Sequence, residues 1–190
     1  MAKSNTMLVV GLTLIAALGG LLFGYDTAVI SGAVKAIDHN FITPQNLSET
    51  AAGSLSGWTI SCALLGCIIG AFIAGPVSTR YGRKPALMLA AVLFFLGSLG
   101  SAVPEVGFGV IGQMGPKALD PFIIYRIIGG IGVGIASMVS PMFIAEIAPA
   151  AIRGRLVTFQ QIAIVGGMLV VYFVNWAISL QGDDQWILNV

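Results

Sequence analysis

The sequence predicts an all-α membrane protein, and three observations carry that prediction: a shortage of charge, five long apolar runs, and a lopsided distribution of basic residues between them. Charged residues make up 9% of the chain against 57% hydrophobic, and the mean hydropathy is +0.95. A soluble domain carries about 25% charged residues to cover its surface, so most of this exterior must face lipid. The net charge of +1 offers no concentrated basic face, which excludes nucleic acid as a partner.

The apolar runs are 8–34, 53–78, 86–103, 122–148 and 156–180, each near the roughly 20 residues that cross a bilayer as a helix. Between them lie polar connections at 35–52, 79–85, 104–121 and 149–155, and a tail follows from Gln181. The first run contains Asp26 and no A-x-A cleavage signature, so it reads as a retained span and not a signal peptide. In the second, Cys62 and Cys67 stand five apart, a spacing that fits neither a redox pair nor a metal site; they read as small packing residues. His39 stands alone in the first outer connection, where Asn46-Leu47-Ser48 fits a glycosylation sequon. Three G-x-x-x-G steps, Gly20/Gly24, Gly66/Gly70 and Gly130/Gly134, provide for close helix packing in lipid, either as plain bundle contacts or as smooth faces for rocking.

If five spans alternate, Lys3, Arg80, Arg83, Lys84, Arg153 and Arg155 share one side, while Lys35 and Lys117 lie on the other with Asp38, Glu49, Glu105 and Asp120. Six basic residues against two put the N-terminus and both short basic loops in the cytoplasm. The tail bearing Asp183 and Asp184 then falls outside.

Two charges interrupt the apolar runs, Asp26 in the first and Arg126 in the fourth. Each costs about 2.5–3.5 kcal/mol at a helix centre on insertion scales, so both must face the protein interior with a partner. Asp26 lies about 27 Å along an outward-rising helix from Leu8, and Arg126 about 6 Å below the outer start of a descending one. Both fall in the outer half of the membrane, which makes them natural partners. The pair is either a static packing device or a proton-coupling site, since a carboxylate's proton affinity responds both to a nearby guanidinium and to burial.

On the inner side, Gly75–Lys84 supplies Arg80 and Arg83, and Glu146–Arg155 supplies Glu146, Arg153 and Arg155. Bidentate arginine–carboxylate pairs are strong and directional, so this cluster reads as a gate that holds helix ends together. In the fifth run Gln161, Met168 and Asn175 recur every seven residues, a stripe with amides at both ends that suits either an aqueous cavity or an interhelical hydrogen bond.

At these residues the chain resembles the sugar porter family of the major facilitator superfamily. The family pattern G-x-x-x-(D/N)-R-x-G-R-(R/K) fits Gly75–Lys84 except at Thr79; R-x-x-G-G-x-G-x-G fits Arg126–Gly134; and P-x-(Y/F)-x-x-E-x-(A/S)-P-x-x-x-R-G-(R/K) fits Pro141–Arg155. The opening Gly19–Gly32 also looks like this family, in detail like its proton-coupled branch. The resemblance implies five of the six helices of the N-terminal half of a major facilitator fold, with the sixth span and the second half absent and a truncated portion expected. It implies secondary active transport of a monosaccharide, pentose or hexose, coupled to proton import by alternating access. Asp26 then matches the proton-coupling carboxylate, Arg126 its partner, Gln161 a sugar-binding amide and Phe23 a cavity aromatic. Met168 stands where the family's xylose type has a second amide, a departure that shifts preference toward a hexose. Arg80, Arg83, Glu146, Arg153 and Arg155 match the cytoplasmic network of the outward-facing state.

The implied partners are a monosaccharide, the lipid bilayer and either the missing C-terminal half or a second copy. The proton is the coupling ion, no cofactor is needed, and the site of action is the plasma membrane, the inner membrane in a bacterium. A passive facilitator or a non-transporting membrane remnant is the alternative. An enzyme is disfavoured, because no nucleophile–base pair, metal grouping or carboxylate dyad is evident. An alkaline phosphatase fused at Gly182 should be active outside the cell; a fusion active only after lysis would invert this topology.

Overall fold

The computed structural model describes residues 6–104 and 116–179. Lys3, Glu105, Gln181, Asp183 and Asp184, used above for orientation, lie outside the described residues, as does the last residue of the fifth apolar run. Among the described residues five long helices form: α1 Thr6–Ile37, α2 Glu49–Tyr81, α3 Arg83–Ala102, α4 Leu119–Ile147 and α5 Arg153–Ser179. All five are long and apolar enough to cross a membrane. No strand forms among the described residues, as expected where lipid leaves the backbone no partner but its own helix.

The helices outrun the apolar runs, because polar residues at their ends lie where backbone hydrogen bonding can continue into the interface. The connection expected over 79–85 shrinks to one residue, Gly82, which ends α2 and begins α3 with φ 90° and ψ 169°. Only glycine adopts that conformation at little cost. The connection over 35–52 is also more ordered than a plain loop. A π-helical turn at Asp38–Ile42 extends α1, a 3₁₀ turn at Thr43–Gln45 follows, and Asn46 closes it with a left-handed φ of 50°. The Ser48 hydroxyl then accepts from the Ala51 N–H at 3.4 Å, capping α2. Thus two residues of the sequon-like triplet serve the local fold. The Phe41 and Phe122 rings stack at 5.7 Å within a buried cluster of Ile37, Ile42, Ala118 and Leu119, tying this segment to the start of α4.

The bundle is two packed groups. In one, α2 and α3 splay from Gly82 and both lie along α4, with Ala74, Ala86, Ala90, Ile135 and Val139 buried between them. In the other, α1 packs on α5. The groups meet chiefly where α1 crosses α4, with a lighter contact of α5 on α4. α4 is therefore the enclosed helix: half of its most apolar stretch is buried, against 17% for α5. Elsewhere large apolar side chains point outward, Phe72 at 80% exposure among them, which is the expected arrangement for a lipid-facing surface.

The glycine steps make the close contacts. A Cβ on Gly66 or Gly70 would strike the carbonyls of Ile127 or Ile131 in α4, and one on Gly130 or Gly134 those of Ala63 or Cys67 in α2. Gly24 meets the backbone of Ile164 in α5 in the same way. Cys62 is fully buried and its thiol donates to the Thr59 carbonyl at 3.1 Å, in keeping with a packing role. Gly134→Val should lower the stability of the detergent-solubilised protein by about 1–3 kcal/mol, the usual cost of overpacking. Gly57→Ala, where a Cβ meets open space, should leave the melting temperature close to that of the parent.

Candidate functional site

Asp26 and Arg126 meet across the junction of the two groups. The Arg126 Nη1 donates to Asp26 Oδ1 at 2.7 Å, with the side chains only 10% and 19% exposed, arginine first. Each charge sits on an interior face of its helix, as the high cost of a charge facing acyl chains requires. Arg126 Nε is buried and has no partner among the described residues, so the guanidinium retains an unused donor beside the carboxylate. The sequence-level depth estimate and the observed contact agree.

A cavity of about 530 Å³ opens between the groups, bounded by α1, α2, α4 and α5. Phe23 and Gln161 both line it, together with Ser137, Thr158 and Gln160. Its walls are mostly apolar with a few polar groups, and its volume falls in the range of about 300–1,000 Å³ typical of small-molecule sites. Met168 is half-buried and is not among the lining residues. It lies about 10 Å along α5 from Gln161. Asn175, another two turns on, packs its amide against Gly32 of α1. The amide stripe therefore serves two purposes: its Gln161 end faces the cavity and its Asn175 end seats α5 on α1.

At the end of the bundle where α2 passes into α3 and α4 ends, Arg83 is the centre of the contacts. Its Nε and Nη2 both donate to Glu146 Oε1, at 2.9 and 2.6 Å, and its Nη1 donates to the Ser78 carbonyl at 2.9 Å. This corrects the expectation of a cluster converging on Glu146. Arg80 instead lies over the Tyr81 ring at 5.6 Å. Arg153 reaches the Ala148 carbonyl at 3.4 Å through Nε and Nη2, and Arg155 is exposed and in neither of the ion pairs formed among the described residues. The reason is position: only Arg83, one residue past the Gly82 turn, projects across to the last turn of α4. Thr79 returns its hydroxyl to the Gly75 carbonyl of its own helix at 3.0 Å and so takes no part.

The sequence reading passed over Gln160 and Ser137 and took Cys67 as a packing residue; all three line the cavity. The Gln160-Gln161 doublet in an apolar run was a signal, since one amide is expensive in lipid and two adjacent ones point in directions about 100° apart on a helix.

The family model described as Sugar (and other) transporter matches residues 12–190. A D-xylose-proton symporter of Escherichia coli strain K12 is 54% identical over 189 residues, covering 96% of this chain and 38% of that protein. A glucose facilitated diffusion protein of Zymomonas mobilis is 41% identical over 186 residues, covering 98% and 38% respectively. Among solved structures, the major facilitator superfamily proton:xylose symporter bound to 6-bromo-6-deoxy-D-glucose superposes with a TM-score of 0.91 at 53% identity, covering 97% of this chain and 40% of that one. The chain spans about two-fifths of the length of these relatives.

Removing one member of a buried pair leaves an uncompensated charge, whereas removing both leaves none. Arg126→Met should therefore cost about 3–5 kcal/mol, and adding Asp26→Asn should recover most of the loss. Thermal unfolding of the single and double variants in detergent checks this.

Proposed function

The chain belongs to the sugar (and other) transporter family and has the five-helix core of the N-terminal half of a major facilitator fold, and on that premise we propose that it carries the proton site and one wall of the sugar site of a secondary active transporter. The substrate is a monosaccharide, pentose or hexose, moved by alternating access with a proton as coupling ion. Gln161 hydrogen-bonds a sugar hydroxyl and Phe23 lines the cavity. Met168, set back from the cavity, contributes at most to the shape of α5 around it. The remaining wall comes from further helices of a longer carrier or from a second copy. The protein acts in the plasma membrane, the bacterial inner membrane in a bacterial source, with its N-terminus in the cytoplasm.

The observation that carries this proposal is the buried 2.7 Å contact of Asp26 with Arg126, where α1 meets α4. A carboxylate's affinity for a proton depends on how far a guanidinium stands from it and on how much water reaches it. In a carrier with two access states, relative movement of α1 and α4 changes both. Proton uptake from one side and release to the other are then linked to the sugar's passage, and the family's relative named as a D-xylose-proton symporter supports that assignment. The Arg83–Glu146 pair, on the proposed cytoplasmic side, holds that end closed in one of the two states.

A passive facilitator is the second reading, favoured by the 41% identical relative named for facilitated diffusion of glucose. The two differ in whether Asp26 is needed for energised uptake. In proteoliposomes with an imposed pH gradient, Asp26→Asn should abolish accumulation of labelled sugar above equilibrium while leaving sugar exchange largely intact. Accumulation unchanged by the substitution refutes the coupling role.

A further inference from the structure

Buried hydroxyls in this bundle generally satisfy themselves. Thr13, Thr59 and Ser78 each donate to a carbonyl of their own helix, at 2.8, 2.8 and 3.2 Å. Ser137 and Ser140 in α4 depart from that habit. The Oγ atoms of both are buried with no hydrogen-bond partner among the described residues. So is Oε1 of Gln160 in α5, a residue only 4% exposed.

Two of these residues pack against consecutive glycines of α1: a Cβ on Gly19 would lie 2.7 Å from Ser140 Oγ, and one on Gly20 would lie 3.1 Å from Gln160 Cγ. Ser140 is enclosed by the packing, whereas Ser137, one turn earlier, and Gln160 are both lining residues of the cavity, with Ser137 Oγ and Gln160 Oε1 themselves covered. Polar groups buried without partners are costly and uncommon, and each calls for an occupant or a role.

We propose that Gln160 and Ser137 form a second hydroxyl-binding subsite, on the α4–α5 wall of the cavity, that takes one hydroxyl of the transported monosaccharide different from the one held by Gln161. An amide and a serine hydroxyl each donate and accept, so together they match a sugar hydroxyl, which does the same. Gln160 and Gln161 are adjacent on α5 and diverge by about 100°, so they reach different positions on a sugar ring. The proposal rests on the transport function above and adds specificity to it.

The test uses the protein as the cell makes it, purified and titrated with D-xylose, D-glucose and their monodeoxy analogues by tryptophan fluorescence. Gln160→Leu should weaken binding of the parent sugar about tenfold, the order expected for one lost hydrogen bond. The same variant should bind one deoxy analogue as well as the parent protein does, because that analogue already lacks the hydroxyl concerned. Ser137→Ala should show a smaller loss that disappears with the same analogue, and it carries the test alone if Gln160→Leu does not fold. Gln161→Leu should single out a different analogue. Equal losses across all analogues mean a packing contact or a structural water and overturn the subsite; so does no loss, or the same analogue for both glutamines. If the parent protein binds neither sugar, the transport function itself fails and takes the subsite with it.

Discussion

A carboxylate and a guanidinium inside a lipid-facing bundle constrain everything around them. Asp26 and Arg126 cannot turn toward acyl chains, so the rotation of α1 and α4 about their own axes is fixed by the contact between them. Once α4 is fixed, its glycine-bearing faces determine where α2 and α3 lie. Once α1 is fixed, α5 follows along Gly20, Gly24 and Gly32. A single polar contact thus orients two groups of helices that are otherwise joined lightly.

The cavity follows from the same arrangement. Two well-packed groups meeting along one line leave space on either side of the crossing, and Phe23, Gln161 and Ser137 border that space because they sit on faces that neither group fills. At one end of the line Arg83 binds α2, α3 and α4 together through Ser78 and Glu146. No comparable ion pair joins α1 or α5 to the other helices at that end among the described residues. Of the two ion pairs among the described residues, one therefore closes a group and the other joins the two groups.

Much of this was legible in the sequence because lipid makes exceptions conspicuous. The five helices could be read from apolar length, and the Asp26–Arg126 pairing from two charges at matching depth. The glycine steps were legible as close contacts, though not which helices they join, since G-x-x-x-G says how near a partner comes and not which partner it is. The inner cluster was overread: the density of arginines at positions 80, 83, 153 and 155 could not reveal that the one-residue turn at Gly82 aims only Arg83 at Glu146. The stripe of Gln161, Met168 and Asn175 was read as one surface, but a helix leaning against α1 divides it between an open wall and a packed seam. Gln160 was signalled by the doublet it forms with Gln161, but that it is the buried member of the two shows only in three dimensions.

The backbone-to-backbone contacts of α2 and α4 have an evolutionary corollary. Where carbonyls rest on glycine Cα atoms, as at Gly66, Gly70, Gly130 and Gly134, there is no side-chain volume left to vary, and drift at these positions is closed off. The α1–α5 seam is closed off in the same way at Gly24 and Gly167, so variation in what the cavity accepts would fall on side chains that border it away from both seams, such as Phe23, Ser137 and Gln161. Descendants of such a scaffold would alter the lining while inheriting the seams nearly unchanged.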